Sequence, residues 1–66
     1  MRPIIADKIK SWRQKNNVTQ RDFGERLGVT AQTISKWERE ECYPDITLLP
    51  AIADILSCTV NDFFDK

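Results

Sequence analysis

One group of small, amide and basic side chains recurs at helical spacing near the middle of the chain. Its members are Ala31, Gln32, Ser35, Lys36 and Arg39. At about 100° per residue, these positions share one side of a helix over residues 30–39. Gln32 can pair with adenine through both groups of its amide, Lys36 can donate to guanine, and Ala31 can contact a thymine methyl. The pattern predicts a surface able to read base edges. An ordinary solvated face is the alternative, because every amphipathic helix has one.

This candidate surface depends on residues 19–38, which are typical of two short helices joined by a tight turn. Thr19 and Thr30 are suited to cap the two helix starts, and Gly28 is suited to end the first helix with a positive φ. Gly24 falls where the two helices must approach closely. Apolar residues at helical spacing are expected to face inward. They are Phe23, Leu27, Val29, Ile34 and Trp37. Such a pair is a helix-turn-helix candidate, whose second helix is presented to the major groove of DNA.

The rest of the chain carries signals for further helices and none for sustained strands. Pro3 is tolerated in a first turn, and Thr47 and Thr59 are placed to cap two later helices. Pro50 falls in the first turn after Thr47, where its missing N–H breaks no bond. Asn17 lies in a break after the first helix, since asparagine tolerates the left-handed conformation. The prediction is an all-α, compact five-helix bundle with helices over about 3–15, 19–27, 30–39, 47–56 and 59–65.

Length and composition bound the class of protein. A chain of 66 residues is close to the lower limit for a hydrophobic core without metals or disulfides, so a single domain over residues 1–66 is expected. The chain has no apolar run long enough to span a membrane and no signal-peptide-like start, which predicts a cytoplasmic protein. Cys42 and Cys58 lack CxxC spacing and are expected to be reduced thiols, with a disulfide between them as the alternative.

Charge is balanced overall but unevenly distributed. Ten basic residues match ten acidic ones. Between residues 8 and 39, however, there are eight basic residues and three acidic ones, a net charge of +5, and the remainder carries −5. A DNA backbone responds to the local field of one face, so this polarity is compatible with DNA binding. Ordinary solvated helix surface is the alternative explanation.

A longer pattern of residues resembles a known protein family. The pattern consists of Arg13, Thr19, Gln20, Leu27, Gly28, Val29, Thr30, Ile34, Ser35, Trp37, Glu38, Pro44, Leu49, Ile52, Ala53 and Leu56. It resembles the phage-repressor/Cro-type helix-turn-helix domain, also called the xenobiotic-response-element family, and covers nearly the whole chain. The resemblance implies a lambda-repressor-like five-helix domain that binds double-stranded DNA in transcriptional regulators, often as a homodimer on palindromic operators. No cofactor, metal site or small-molecule ligand is expected.

Several roles in DNA binding are implied by this resemblance. Gln20 matches a position that contacts phosphate, and an amide at a helix N-terminus suits an anion. Thr30 and Thr33 are similarly placed at the next helix start, and Arg39 would reach the DNA backbone at the helix end. The positions that usually face bases are Ala31, Gln32, Ser35 and Lys36.

Other positions are assigned to architecture or depart from the family pattern. Arg13 and Glu38 match a pair that forms an ion pair in this family, joining the first helix to the end of the recognition helix. Glu40 stands where a glycine often follows Trp-Glu by two residues, so the helix is expected to continue or to end differently. Glu40 and Glu41 would also repel DNA. Gly24 replaces a more usual alanine, which lowers helix propensity but keeps the packing small.

These observations favour a sequence-specific DNA-binding transcriptional regulator and, by analogy with the family, a repressor. Ile46 or Phe64 is predicted to contribute to a homodimer contact. An enzyme is disfavoured because the chain has no histidine, no phosphate-cradling glycine loop and no metal-ligand cluster. The stronger alternative is a protein-interaction or antitoxin-type module that keeps the fold without specific DNA binding. The zero net charge and the adjacent acids Glu40 and Glu41 favour this alternative.

Overall fold

Four α-helices in the described residues pack around one hydrophobic core. The structure, a computed structural model, describes the backbone of residues 2–65 and the side chains of residues 4–64. The α-helices are α1 (Ile5–Lys15), α2 (Gln20–Leu27), α3 (Ala31–Glu38) and α4 (Leu49–Leu56). Two short 3-10 helices, Ile46–Leu48 and Val60–Phe63, precede and follow α4. Met1 and Lys66, the ends of the predicted domain, lie outside the described residues.

A short antiparallel ladder joins the two ends of the described chain. Strand β1 (Arg2–Pro3) pairs with strand β2 (Phe64–Asp65), with Pro3 opposite Phe64. Two residues are too few to show an alternation of apolar and polar positions, so the sequence pattern could not indicate this pairing. Apart from this ladder, the regular structure of the described residues is helical. The all-α class is therefore confirmed, with four α-helices instead of five.

The turn between α2 and α3 is built as the sequence predicts. The Thr19 hydroxyl accepts the Asp22 N–H at 3.0 Å, and the Thr30 hydroxyl accepts the Thr33 N–H at 3.2 Å. Gly28 has φ 76° and ends α2 in the left-handed conformation, which glycine adopts without steric cost. These local interactions confine the turn to residues 28–30.

Two predicted helix starts are wrong. Pro3 lies in β1, and α1 begins only at Ile5. Thr47 does not cap the fourth helix. Instead, the Asp45 carboxylate accepts the Thr47 N–H at 3.1 Å and starts the 3-10 helix that leads into α4, because an aspartate can close such a turn over two residues. Pro50 nevertheless lies in the first turn of α4, as predicted.

The predicted fifth helix over residues 59–65 is also wrong. Only Val60–Phe63 is helical, as a single 3-10 turn, and the chain then enters β2. The Phe63 carbonyl accepts the Ile4 N–H at 2.7 Å. A longer helix would have used that carbonyl internally. A contact between distant parts of the chain therefore ends the helical turn.

The core is made of apolar side chains from all four α-helices and the second 3-10 helix. Its buried members, each 5% exposed or less, are Ile5, Ala6, Ile9, Phe23, Ile34, Trp37, Ile52, Ala53 and Phe63. Gly24 lies at the contact between α2 and α3, where an added Cβ would be 2.6 Å from the Val29 carbonyl oxygen. Real Cβ atoms essentially never show so short a contact. The close approach predicted at Gly24 is confirmed.

Two expectations from composition concern the cysteines and membranes. Cys42 is exposed, Cys58 is partly buried, and both are free thiols. Burial raises the pKa of the Cys58 thiol, the Asp62 carboxylate raises it further, and Lys8 opposes this shift. None of the helices in the described part of the chain has the length and apolar character needed to cross a bilayer.

Candidate nucleic-acid interface

Helix α3 presents a polar row on its outer side. The residues of this row that were predicted to face bases are Ala31, Gln32, Ser35 and Lys36. Gln32 and Lys36 are exposed, and the other two are partly exposed. On the opposite side of α3, Ile34 and Trp37 are buried in the core. Burial of that side fixes the rotation of the helix about its axis, so the polar row faces outward.

The start of α3 combines hydroxyl groups with free backbone donors. Thr30 Oγ1 accepts the Thr33 N–H at 3.2 Å and lies 3.0 Å from Thr33 Oγ1. Thr30 is exposed and Thr33 is partly exposed. A hydroxyl offers one donor and two acceptor sites, so this pair retains capacity for an outside partner. Together with the first-turn N–H groups and the positive end of the helix dipole, these groups can receive a phosphate oxygen.

A nearly buried ion pair joins α1 to the end of α3. Arg13 Nε and Nη2 donate to the two carboxylate oxygens of Glu38 at 2.7 and 2.9 Å. The two side chains are 15% and 6% exposed. Arg13 Nη1 also donates to the Val18 carbonyl at 3.1 Å. The hydrogen bond to Glu38 raises the pKa of Arg13, with a smaller contribution from the charge of Glu38. The structure thus brings together the two residues assigned to architecture.

Gln20, the phosphate-contact candidate on α2, is tied to this ion pair. Its Nε2 donates to Glu38 Oε1 at 3.3 Å, and its side chain is partly buried. One amide N–H is therefore used inside the protein, while the second N–H and the amide oxygen are left for another partner. The carboxylate that holds α1 against α3 thus also positions Gln20 at the start of α2.

The end of α3 carries a second ion pair, which is exposed. Arg39 Nε lies 2.8 Å from Glu41 Oε2, and the two side chains are 60% and 52% exposed. Arg39 Nε also donates to the Ser35 carbonyl at 3.4 Å. Glu40 has φ 61°, the left-handed conformation that glycine commonly takes after a helix. The expectation that α3 would continue or end differently is wrong, because Glu40 adopts the conformation of the missing glycine and α3 ends at Glu38.

An open cleft beside α3 contains residues that sequence reasoning missed. Its volume is about 410 Å³, and it lies between α2 and the start of α3. It is lined by Arg21, Glu25, Val29, Thr30, Ala31 and Gln32. Arg21 and Glu25 form an exposed ion pair at 3.4 Å, one helical turn apart on α2. Arg21 directly follows Gln20, a predicted phosphate contact, at the N-terminus of α2. This adjacency is the sequence signal that could have indicated that Arg21 lies beside the candidate interface.

The segments after α3 expose apolar side chains. Tyr43 and Ile46 are 54% and 77% exposed. Phe64 is partly buried and lines a groove of about 110 Å³, which we call the apolar groove. The apolar groove is lined by Ile5, Tyr43, Pro44, Leu49, Phe63 and Phe64. Of the two predicted dimer-contact residues, Ile46 is open to solvent and Phe64 reaches the surface in this groove. Sequence reasoning missed Tyr43, because a tyrosine in a loop carries no periodic signal.

Comparisons with known sequences agree with this architecture. A helix-turn-helix family model matches residues 9–63. The chain is 34% identical over 60 residues to an uncharacterised HTH-type transcriptional regulator of Methanocaldococcus jannaschii, and the match covers 91% of each chain. It is also 34% identical over 56 residues to the HTH-type transcriptional activator BcrR of Enterococcus faecalis. That match covers 85% of this chain but 28% of BcrR, so the chain corresponds to only part of that relative.

A solved structure has a similar fold. The chain is similar to the P22 c2 repressor protein, which was crystallised in complex with a synthetic operator. The TM-score is 0.84, the sequence identity is 29%, and the match covers 94% of each chain. The residues matched by the family model, 9–63, run from within α1 to the end of the second 3-10 helix. The chain belongs to the phage-repressor/Cro-type helix-turn-helix family of transcriptional regulators.

Proposed function

We propose that the chain is a sequence-specific DNA-binding regulator of transcription that inserts α3 into the major groove. The observation that carries the proposal is the polar row of α3, which is held outward by the burial of Ile34 and Trp37. The width of the major groove admits an α-helix. The similar P22 c2 repressor protein forms a complex with a synthetic operator, which supports placing DNA against this face. The proposal is for binding and includes no catalytic step.

Four residues on the polar row are proposed to contact bases. Gln32 would bond adenine through both groups of its amide, and Lys36 would donate to guanine. Ala31 would contact a thymine methyl, and Ser35 would donate or accept according to the base it meets. Gln32 and Lys36 are the exposed members of the group, so they are expected to contribute most to sequence preference.

Four further residues are proposed to contact phosphates and so to position α3. Gln20 would use the amide atoms that its bond to Glu38 leaves free. Thr30 and Thr33 would act with the backbone at the start of α3, and Arg39 would act at its end. These contacts carry no sequence information, because phosphates are the same on every duplex.

We also propose that two copies bind as a homodimer. Recognition helices of a dimer enter successive major grooves about 34 Å apart, which requires a contact between the copies. Ile46 is 77% exposed, and Phe64 lines the apolar groove. Both side chains therefore offer apolar surface for a self-complementary contact. Repression is the proposed outcome, because a dimer on an operator would exclude other proteins from that DNA.

Selection from a random duplex pool tests the proposal. The protein is incubated with the pool at near-physiological salt, and the bound DNA is sequenced. An enriched palindrome with half-sites about one helical turn apart is expected. Enrichment of an unpaired half-site would remove the dimer from the proposal. Absence of any enriched sequence, with only weak and salt-sensitive binding, would contradict sequence-specific recognition.

Two substitutions then separate base reading from phosphate binding. Gln32→Ala should relax preference at one base pair by about 1–3 kcal/mol, whereas Arg39→Ala should weaken binding to all sequences similarly and flatten the salt dependence. Fluorescence anisotropy with the selected site, single-base variants of it and a random duplex measures both effects. Equal losses on the selected and random duplexes for Gln32→Ala would contradict the role proposed for Gln32.

A protein-interaction module is the second candidate. The exposure of Tyr43 and Ile46, 54% and 77%, favours a partner that covers apolar surface. Under this alternative, Ile46→Ala would abolish binding to the protein partner, and the chain would select no duplex. The selection experiment therefore distinguishes the two candidates before any partner is known.

A further inference from the structure

The ion pair at the end of α3 places an acid against a proposed phosphate-binding residue. Arg39 Nε lies 2.8 Å from Glu41 Oε2, close enough for an ion pair, while its N–H donates to the Ser35 carbonyl at 3.4 Å. Both side chains are more than half exposed, at 60% and 52%, so a solvent-borne anion can reach Arg39. The Glu41 carboxylate therefore lies beside the guanidinium that a DNA phosphate would approach, and it already balances part of that positive charge.

The backbone fixes Glu41 beside Arg39. Glu40, with φ 61°, reverses the chain immediately after α3. The Glu41 N–H then donates to the Lys36 carbonyl at 2.9 Å, and the Cys42 N–H reaches the same carbonyl at 3.4 Å. Such bonds from beyond the last turn close a helix C-terminus. The pairing of Arg39 with Glu41 thus follows from the way α3 ends.

We propose that Glu41 competes with DNA phosphate for Arg39 and thereby sets the affinity of the interface for every duplex. This inference rests on the proposed function. A phosphate that approaches Arg39 meets a positive charge already partly balanced by the Glu41 carboxylate, so its contact contributes less than that with an unpaired arginine. Operator and random DNA both present phosphates, so the competition weakens retention on non-operator DNA as well.

Glu41→Gln is the direct test, because it removes the charge and keeps the size of the side chain. Anisotropy titrations with a random duplex across a salt series measure the effect. We expect affinity near physiological salt to rise about two- to five-fold, as for the loss of one exposed ion pair. The slope of log affinity against log salt should steepen by up to about one. The melting temperature of the free protein should fall only slightly, because it loses one exposed ion pair, and a loss of stability cannot by itself raise affinity for DNA.

Two control variants distinguish competition at Arg39 from general repulsion of DNA. Glu40→Gln removes the neighbouring acid, which forms no ion pair within residues 4–64, and it should raise affinity less than Glu41→Gln. In an Arg39→Gln background, the gain from Glu41→Gln should fall to about that from Glu40→Gln, because only general repulsion of DNA remains. Equal gains with and without Arg39, or equal gains from the Glu40 and Glu41 variants, would overturn the proposal.

The failure of this inference and that of the proposed function give different results. A wild-type chain that selects an operator, with a Glu41→Gln variant that binds identically, removes the inference and leaves the proposed function intact. A wild-type chain and variants that bind no duplex at any salt concentration remove both.

Discussion

The segment from α1 to α3 and the segment after α3 are built differently. In the first segment, Gly28 and Asn17 occupy left-handed conformations, with φ 76° and 56°, and both residue types tolerate them. In the second segment, Glu40 and Ser57 occupy that region, with φ 61° and 57°. The first segment therefore agrees with its local preferences, whereas the second departs from them at both of these turns. In the segment that bears the candidate interface, local sequence preferences and core packing therefore favour the same backbone structure.

The ion pairs of the two segments also differ in burial. The first is closed by the bidentate Arg13–Glu38 pair, 15% and 6% exposed, whereas the Arg39–Glu41 pair of the second is 60% and 52% exposed. A nearly buried pair is costly to break, and an exposed pair contributes little to stability. Substitutions in the two segments should therefore differ in the size of their effects.

The largest effect is expected when the nearly buried pair is broken. Arg13→Ala leaves Glu38 as an uncompensated charge and should reduce the free energy of unfolding by about 3–5 kcal/mol. Chemical denaturation followed by circular dichroism measures the loss. Arg21→Ala is the matched control, because it breaks the Arg21–Glu25 pair, whose side chains are 82% and 64% exposed, and should cost less than about 1 kcal/mol. Similar losses of unfolding free energy in the two variants would contradict the expected difference between the nearly buried and the exposed ion pair.

The next effect tests the packing of α2 against α3. Gly24→Ala should destabilise the protein by about 1–3 kcal/mol, because the added Cβ must displace backbone. That backbone is the Val29 carbonyl, whose oxygen would lie 2.6 Å from the Cβ. Alanine is the better helix former by about 1 kcal/mol, so the sign of the change is informative. Glu25→Ala on the exposed side of α2 is the control, and thermal unfolding compares the two. A gain in stability for Gly24→Ala would mean that the Val29 carbonyl can move away from α2 without a loss of stability.

A smaller effect of opposite sign is expected in the second segment. Glu40→Gly should stabilise the protein by about 0.5–1 kcal/mol, because glycine adopts the left-handed conformation without the steric cost that glutamate has there. The greater conformational entropy of glycine in the unfolded chain offsets part of this gain. Glu40→Ala, which removes the charge but keeps the strained conformation, is the control and should show no such gain. Equal stabilisation by glycine and alanine would assign the effect to charge instead of backbone conformation.

The contrast between the segments also explains how much of the fold was predictable. Thr19, Thr30 and Gly28 act on residues at most four positions away, so their types and spacing were enough to place the turn. The helix predicted after Thr59 was too long because the Phe63 carbonyl accepts an N–H from the other end of the chain. A local pattern contains no information on that contact, and the same limit applies to the ladder between β1 and β2.

Some features of the candidate site could likewise be predicted from the sequence, and others could not. The outer row of α3 could be predicted, because helical periodicity separates it from Ile34 and Trp37. The bond from Gln20 to Glu38 could not, since it spans 18 positions in the sequence. The Arg39–Glu41 pair depends on the chain reversal at Glu40, a conformation that the residue type argues against. The DNA contacts assigned to individual residues stay predictions.

The smallest effect is expected at Asp62, in the 3-10 helix before β2. Its carboxylate accepts the Thr59 N–H at 3.0 Å, and this hydrogen bond lowers the pKa of Asp62. A group with a lowered pKa stabilises the fold above its unfolded value of about 3.9 and loses that contribution as the pH falls through the folded value. Asp62→Ala should therefore lower the melting temperature slightly at pH 7, and the difference from wild type should shrink as the pH falls below about 3.9 and through the lowered pKa of Asp62. Asp54→Ala on α4 is the control, since its carboxylate takes part in none of the side-chain hydrogen bonds within residues 4–64. A difference that stays constant while the pH falls through the acid range would show that the charge of Asp62 is not the source of the stabilisation, and the hydrogen bond to Thr59 would then contribute little to the second segment.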